Sequence, residues 1–217
     1  HLLSRRQRQM CIRDRYRGFD GVVLACIDFG DPEVIELVQS SIPVVTIDYL
    51  FNNRIAIMSD NVAGMKELLE YIYSRGHRKI AYIHGAMSAV TSGRLSSFYR
   101  TAERLGLEIP DEYIREAAYR DTTTTYRVTN ELLDLPNPPT CIIYPDDFAS
   151  FGGINAIRQR GLQIPEDISV AGYDGIQAAR QLEPRLTTVQ QDTEQIGCLA
   201  ARELILSLIH ISEPTRR

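Results

Sequence analysis

"IPEDISVAGYDGI" runs from Ile164 to Ile176, and its reading decides the fold. The short apolar run Ile168–Ala171 has the length and two-sided hydrophobicity of a strand buried in a parallel sheet. It ends in Gly172-Tyr173-Asp174-Gly175, a turn with a carboxylate at its tip. The plainer reading is a solvated turn aspartate bonded to its own backbone. The sharper one is a ligand-gripping aspartate at the carboxyl end of a strand, where open parallel sheets bind their ligands.

Working outward, short apolar runs alternate with helical patterns. Before this strand lie "GVVLACIDF" (Gly21–Phe29), "IPVVTIDYL" (Ile42–Leu50), "IAIMSDN" (Ile55–Asn61), "KIAYIHG" (Lys79–Gly85), "YIREAAY" (Tyr113–Tyr119) and "TCIIYPDD" (Thr140–Asp147); "LTTVQQDT" (Leu186–Thr193) follows it. Asp31-Pro32 opens a helix to about Ser40, Pro being favourable in a first turn. Met65, Leu68, Leu69 and Ile72 recur at helical spacing over Val62–Ser74, and Gly76 stops that helix. Helices are also predicted from about Ser92, from Thr122, over Phe148–Arg160, and over Ile196–Ile209. This alternation predicts an α/β fold: two lobes of parallel sheet flanked by helices, split near Gly76-His77.

At 217 residues the chain suits one large domain or two lobes, and 44% apolar residues suffice for a core. The net charge of −4 argues against a nucleic-acid module in the body of the chain. Arg5, Arg6, Arg8, Arg13, Arg15 and Arg17 crowd the start, a local exception. Cys11, Cys26, Cys141 and Cys198 form no CxxC pair, which suits a reducing compartment. No apolar stretch reaches membrane-spanning length and no signal-peptide core opens the chain, so a cytoplasmic location and no membrane partner are expected.

The polar residues just past the strands converge on one edge of the second lobe's sheet: Ser88 to Arg94, Tyr119, Asp146 with Asp147, and Asp174. Arginine and aspartate make bidentate bonds to hydroxyls, and tyrosine stacks on a ring face. In the first lobe the corresponding residues are Asp28, Asp48 and Asp60. Each has a plainer reading: Asp146 or Asp147 as a helix cap, Asp60 and Asn61 likewise, Arg94 as a solvated helix residue, Tyr119 as core or rim. His84 reads as structural. GxSxG, GxxxxGK[ST], HExxH and a strand-to-helix GxGxxG are all absent, so no enzyme is expected. Adjacent side chains such as Asp146 and Asp147 point apart, and no cofactor or metal is expected.

"GFDGVVL", "IPVVTID", "SDNVAGMKELLEYIYSRGHRKIAYIHG", "SGRLSSFYRTAERLGL", "GGINAIRQRGLQIPEDISVAGYDG" and "PRLTTVQQDTEQIGCLAAREL" resemble the effector-binding core of the LacI/GalR transcription regulators, from about Arg17 to Leu208. The resemblance implies the periplasmic-binding-protein type I fold, with an effector held between two lobes and crossover strands as a hinge. It places Arg94 and Asp174 at effector-contacting positions, Tyr119 at a stacking aromatic, Asp146 and Asp147 at the family's Asn-Asp pair, and Gln191 at a cleft glutamine. Asp146, where many members have Asn, and Thr193, aromatic in some, depart from the family. The implied partners are a sugar or sugar derivative, a second copy in the full-length protein, and operator DNA through an N-terminal domain absent from this sequence. The rival expectation is a transport-type sugar-binding protein sharing the fold.

The resemblance also implies domains: 1–16 as a foreign or disordered leader, 17–77 with 189–209 as a partial N-terminal lobe, 78–188 as the C-terminal effector-binding lobe, and 210–217 as a foreign tail. "HLLSRRQRQMCIRDR" and "HISEPTRR" match nothing in the family and resemble translated adaptor sequence. The first two βα units of the N-terminal lobe are expected to be missing, leaving a sheet edge open to association.

Overall fold

The computed structural model describes residues 18–25 and 30–212. The arginine cluster before Gly18, Cys11, Cys26, Asp28 and the last five residues lie outside the described residues. In chain order the elements are β1 (Val22–Leu24), α1 (Pro32–Gln39), β2 (Val44–Ile47), β3 (Ile55–Ile57), α2 (Asn61–Ser74), β4 (Ile80–His84), α3 (Ala89–Arg104), β5 (Ile114–Glu116), α4 (Thr122–Leu133), β6 (Cys141–Ile143), α5 (Asp147–Gln159), β7 (Ser169–Asp174), β8 (Thr187–Gln190) and α6 (Thr193–Ser212). The described residues fall into two compact units, those up to 59 together with those from 192 onward, and 60–191.

The first unit is a parallel sheet in the order β1-β2-β3. Leu24, Leu37, Val38 and Val44 form its core, and α6 packs on all three strands. Arg54 closes the end of α1: its Nε donates to the Val38 carbonyl at 2.7 Å and its Nη2 to that of Ser40 at 2.5 Å. Carbonyls left over at a helix end are thereby satisfied.

The second unit is a five-stranded parallel sheet in the order β5-β4-β6-β7-β8. The order reverses between β4 and β6, which makes their carboxyl ends the topological switch point. Both faces are covered, so Ile80, Ala81, Ile83, Ile142 and Ile143 are fully buried. One face carries α2 and α3 through Met65, Leu69 and Phe98; the other carries α4 and α5 through Val128, Leu132 and Ile157.

The boundaries between the two units fall elsewhere than the division drawn from the sequence, at both crossings. Helix α2 belongs to the second unit, because its stripe Met65, Leu68, Leu69 and Ile72 shares a core with Ile80, Phe98 and Ile143. Strand β8 stays there too, since Ala171 to Asp174 of β7 pair with Thr187 to Gln190. Only α6 leaves, and the boundaries fall at Ser59 and Gln191.

Gly152 lets α4 and α5 approach closely: a Cβ there would lie 2.0 Å from the Thr122 carbonyl oxygen, which is backbone and has little freedom to yield. Gly152→Ala is expected to cost about 2 kcal/mol by overpacking. Urea denaturation checks this as a lower midpoint at unchanged slope. Gly197→Ala, where nothing lies within 4 Å of the added carbon, is the control and is expected to be neutral or stabilising.

Candidate functional site

Site residues gather at the carboxyl edge of the five-stranded sheet. Arg94 lies one turn into α3, whose start is fixed by Ser88, its hydroxyl accepting from the Thr91 N–H at 3.1 Å. The cap sets the helix start three residues earlier than the sequence pattern suggests. The Arg94 side chain is almost fully buried, and its charge is satisfied by several groups. Nε donates to Asn61 Oδ1 at 2.8 Å and Nη1 to the Pro145 carbonyl at 2.9 Å, which ties α3 to α2 and to the end of β6 across the switch point. The guanidinium carbon lies 3.4 Å from the centroid of the Tyr173 ring, a desolvated cation–π contact. Nη2 is 3.9 Å from Asp174 Oδ1.

Asp174 ends β7 with φ of 109°, a left-handed conformation uncommon outside glycine. Its side chain is about one-third exposed, and Oδ1 accepts from the Gln191 amide at 2.6 Å. Burial pushes its carboxyl up to about 6; Arg94 and Gln191 oppose that, while Asp146 and Asp147 add to it. The carboxylate is therefore poised to change charge near neutrality.

Tyr119 follows β5 and is half-buried. Its ring lies on Gly85, where a Cβ would come within 2.3 Å of the ring carbons. Its hydroxyl is 2.8 Å from Thr91 Oγ1. Thr91 gives its single proton to the Ala86 carbonyl at 2.7 Å, so Tyr119 is the donor of that pair.

Asp146 and Asp147 have anchoring contacts. Asp146 caps α5, Oδ1 accepting from the Ala149 N–H at 2.7 Å, and its Oδ2 accepts from the Arg120 N–H at 2.7 Å. It thus fixes the turn that carries Tyr119. Asp147 is fully buried; Oδ2 accepts from the Ile176 N–H at 2.8 Å and Oδ1 from the Thr188 hydroxyl at 2.5 Å. Burial raises the Asp147 carboxyl above its usual range. The plainer sequence reading, a helix cap, describes what Asp146 does here.

Asp60 also caps its helix, accepting from the Ala63 N–H at 2.9 Å, while Asn61 instead holds Arg94. Asn61, Tyr173 and Thr188 are site neighbours that sequence reasoning missed. Tyr173 had a partial signal: neighbours on a strand face opposite sides, so the residue before Asp174 meets a covered face, which the structure shows to be that of α2 and α3. Among the described residues no group of three His, Cys, Asp or Glu side chains is arranged to hold a metal. A cavity of about 140 Å³ opens at the opposite, amino end of β7, between Ile154, Ile164 and Leu186. Arg158 in its lining donates to the Glu183 carbonyl at 2.6 Å. The carboxyl edge, where Arg94, Tyr119 and Asp174 converge, is therefore the candidate site.

Comparison with known proteins agrees with this architecture. Residues 69–217 match the periplasmic binding protein-like domain. The chain belongs to the periplasmic-binding-protein-like family. Within it, this is a LacI/GalR-type effector-binding core. It is 34% identical over 200 residues to the "Probable HTH-type transcriptional repressor ExuR" of Bacillus subtilis, covering 90% of this chain and 59% of that protein. The HTH-type transcriptional repressor PurR of Escherichia coli is 28% identical over 199 residues, with 89% and 58% covered. The LacI/GalR-type core thus spans somewhat under two thirds of the length of these relatives. A LacI-family regulatory protein from Chloroflexus aggregans superimposes with a TM-score of 0.81 at 28% identity, covering 98% of this chain and 78% of that one. The regulator CelR in complex with cellobiose shares the fold, with a TM-score of 0.83 at 24% identity over 97% of this chain and 66% of that one. No helix among the described residues is long and apolar enough to cross a membrane.

Proposed function

We propose that this chain is the effector-sensing core of a LacI-type transcription repressor, and that it binds a small sugar or sugar derivative at the carboxyl edge of the five-stranded sheet. The observation that carries the reading is the facing of Arg94 and Asp174 at 3.9 Å, a buried donor fork beside a partly exposed acceptor. A sugar hydroxyl both accepts and donates, so neighbouring hydroxyls match an arginine donor on one side and a carboxylate acceptor on the other. Tyr119 offers the ring face, Gln191 orients the Asp174 carboxylate, and Asp146 and Asp147 hold the backbone around them. The relatives named as HTH-type transcriptional repressors support a binding protein rather than an enzyme and, in the complete protein, operator DNA as a partner; a cytoplasmic location and a second copy belong to the same proposal. Signalling requires the effector to bind one conformation better than another. The transport-type rival finds no support in these relatives.

A thermal-shift screen of the chain against neutral sugars, sugar acids, amines and nucleobases tests this. A polyhydroxylated compound at 100 times its dissociation constant is expected to stabilise by about 2.7 kcal/mol and to raise the midpoint by several degrees. A response confined to nucleobases or amines would count against the sugar reading.

A further inference from the structure

We propose that Thr188 and Asp147 form a latch that holds the Asp174 corner in its binding geometry, making both of them positioning residues. This rests on the effector site proposed above, and it takes Asp147 out of direct contact with the ligand. The Thr188 hydroxyl has one proton and two lone pairs, and the latch uses both kinds of function. It donates to Asp147 Oδ1 at 2.5 Å and accepts from the Gly175 N–H at 3.3 Å. The other Asp147 oxygen accepts from the Ile176 N–H at 2.8 Å. Both backbone donors that follow Asp174 are thus held by a single carboxylate–hydroxyl pair.

The surroundings are shaped for this pair. A Cβ on Gly172 would lie 2.2 Å from Asp147 Oδ1, so only glycine lets the carboxylate settle over β7. Gly175 has φ of 72°, directly after the 109° of Asp174. Positive φ costs Gly175 nothing but is unfavourable for Asp174, and such a conformation persists where neighbours over-determine it. On the other side of the corner, the Gln191 N–H donates to the Asp174 carbonyl at 3.2 Å and its side chain to Asp174 Oδ1. Releasing Gly175 and Ile176 allows the carboxylate to turn away from Arg94 toward water. Asp147 is fully buried, so it acts on the ligand through this backbone.

The test compares wild type, Thr188→Val and Thr188→Ser. Valine keeps the shape and removes the hydroxyl; serine restores it. Two readouts need no ligand: amide hydrogen exchange at Gly175 and Ile176, and the NMR titration of the Asp174 carboxyl, which Arg94, Gln191, Asp146 and Asp147 face. In Thr188→Val, exchange is expected to quicken at least tenfold and the titration to move from about 6 toward the ordinary 3.8. In Thr188→Ser both are expected to stay near wild type. The third readout is affinity for the compound selected by the thermal-shift screen, expected to fall about tenfold in Thr188→Val and to recover in Thr188→Ser. Unchanged exchange and titration in Thr188→Val would overturn the latch, whatever the affinity does. Failure of the site reading is separate: Asp174→Asn would then bind as wild type, while the two ligand-free readouts still decide on the latch.

Discussion

Asp174→Asn is expected to weaken effector binding by about 10- to 100-fold and, above pH 7, to make the protein more stable. The binding loss follows from removing a charge-assisted acceptor, worth about 1.5–3 kcal/mol. Asparagine tolerates the left-handed backbone at this position, so the corner itself survives. The stability gain follows from proton linkage. The Asp174 carboxyl titrates at about 6 in the folded chain, against 3.8 for an ordinary aspartate. Between those values the folded chain keeps a proton that the unfolded chain has lost. Stability therefore falls as pH rises through that window and stays lower above it. Asparagine removes the penalty. Partial exposure of the carboxylate screens the effect, leaving about 1 kcal/mol, or about 2–4 °C in the unfolding midpoint. The expected signature is a higher midpoint than wild type at pH 8 and no gain at pH 4, measured by thermal unfolding across pH. The residue is placed for its ligand, at a cost to the empty fold.

Arg94→Met is expected to be damaging in the opposite way, losing both binding and stability. Methionine fills similar volume but leaves Asn61 Oδ1 and the Pro145 carbonyl without their donor. It also leaves Asp146, Asp147 and Asp174 close together with no buried cation to offset them. Breaking a buried charged network by removing one member costs about 3–5 kcal/mol. Chemical denaturation is expected to show that loss at pH 8. At pH 5 the loss is expected to shrink, because the carboxyls whose pKa is raised, Asp174 and Asp147, protonate more readily there. Arg94→Lys is expected to recover only part of the binding, since an ammonium cannot span Asn61, Pro145 and the ligand in one plane.

Much of this was legible in the sequence, and the limits have physical causes. Fully apolar runs such as Ile80–Ile83 and Cys141–Ile143 announced strands buried on both faces. Gly76 and Gly161, with φ of 97° and 76°, ended helices where glycine was needed. Residues placed just past the strands did come to one edge, because a parallel sheet brings all its carboxyl ends together. What the pattern could not show was which side chain spends its bonds inward. Asp146, Asp147 and Asp174 are all carboxylates after strands, yet Asp146 and Asp147 bind backbone N–H groups of neighbouring turns while Asp174 faces Arg94. That difference is set by loop conformation, which has no periodicity to read. The unit of α2 was not legible for a related reason: its stripe shows that it packs, without showing on which sheet.

The most direct test of the central claim is calorimetric titration of the compound selected by the thermal-shift screen into wild type and Asp174→Asn at pH 7.5. If Arg94 and Asp174 grip the effector together, wild type binds it and the variant binds at least tenfold more weakly. Equal affinities in the two proteins would place the effector elsewhere and contradict the account.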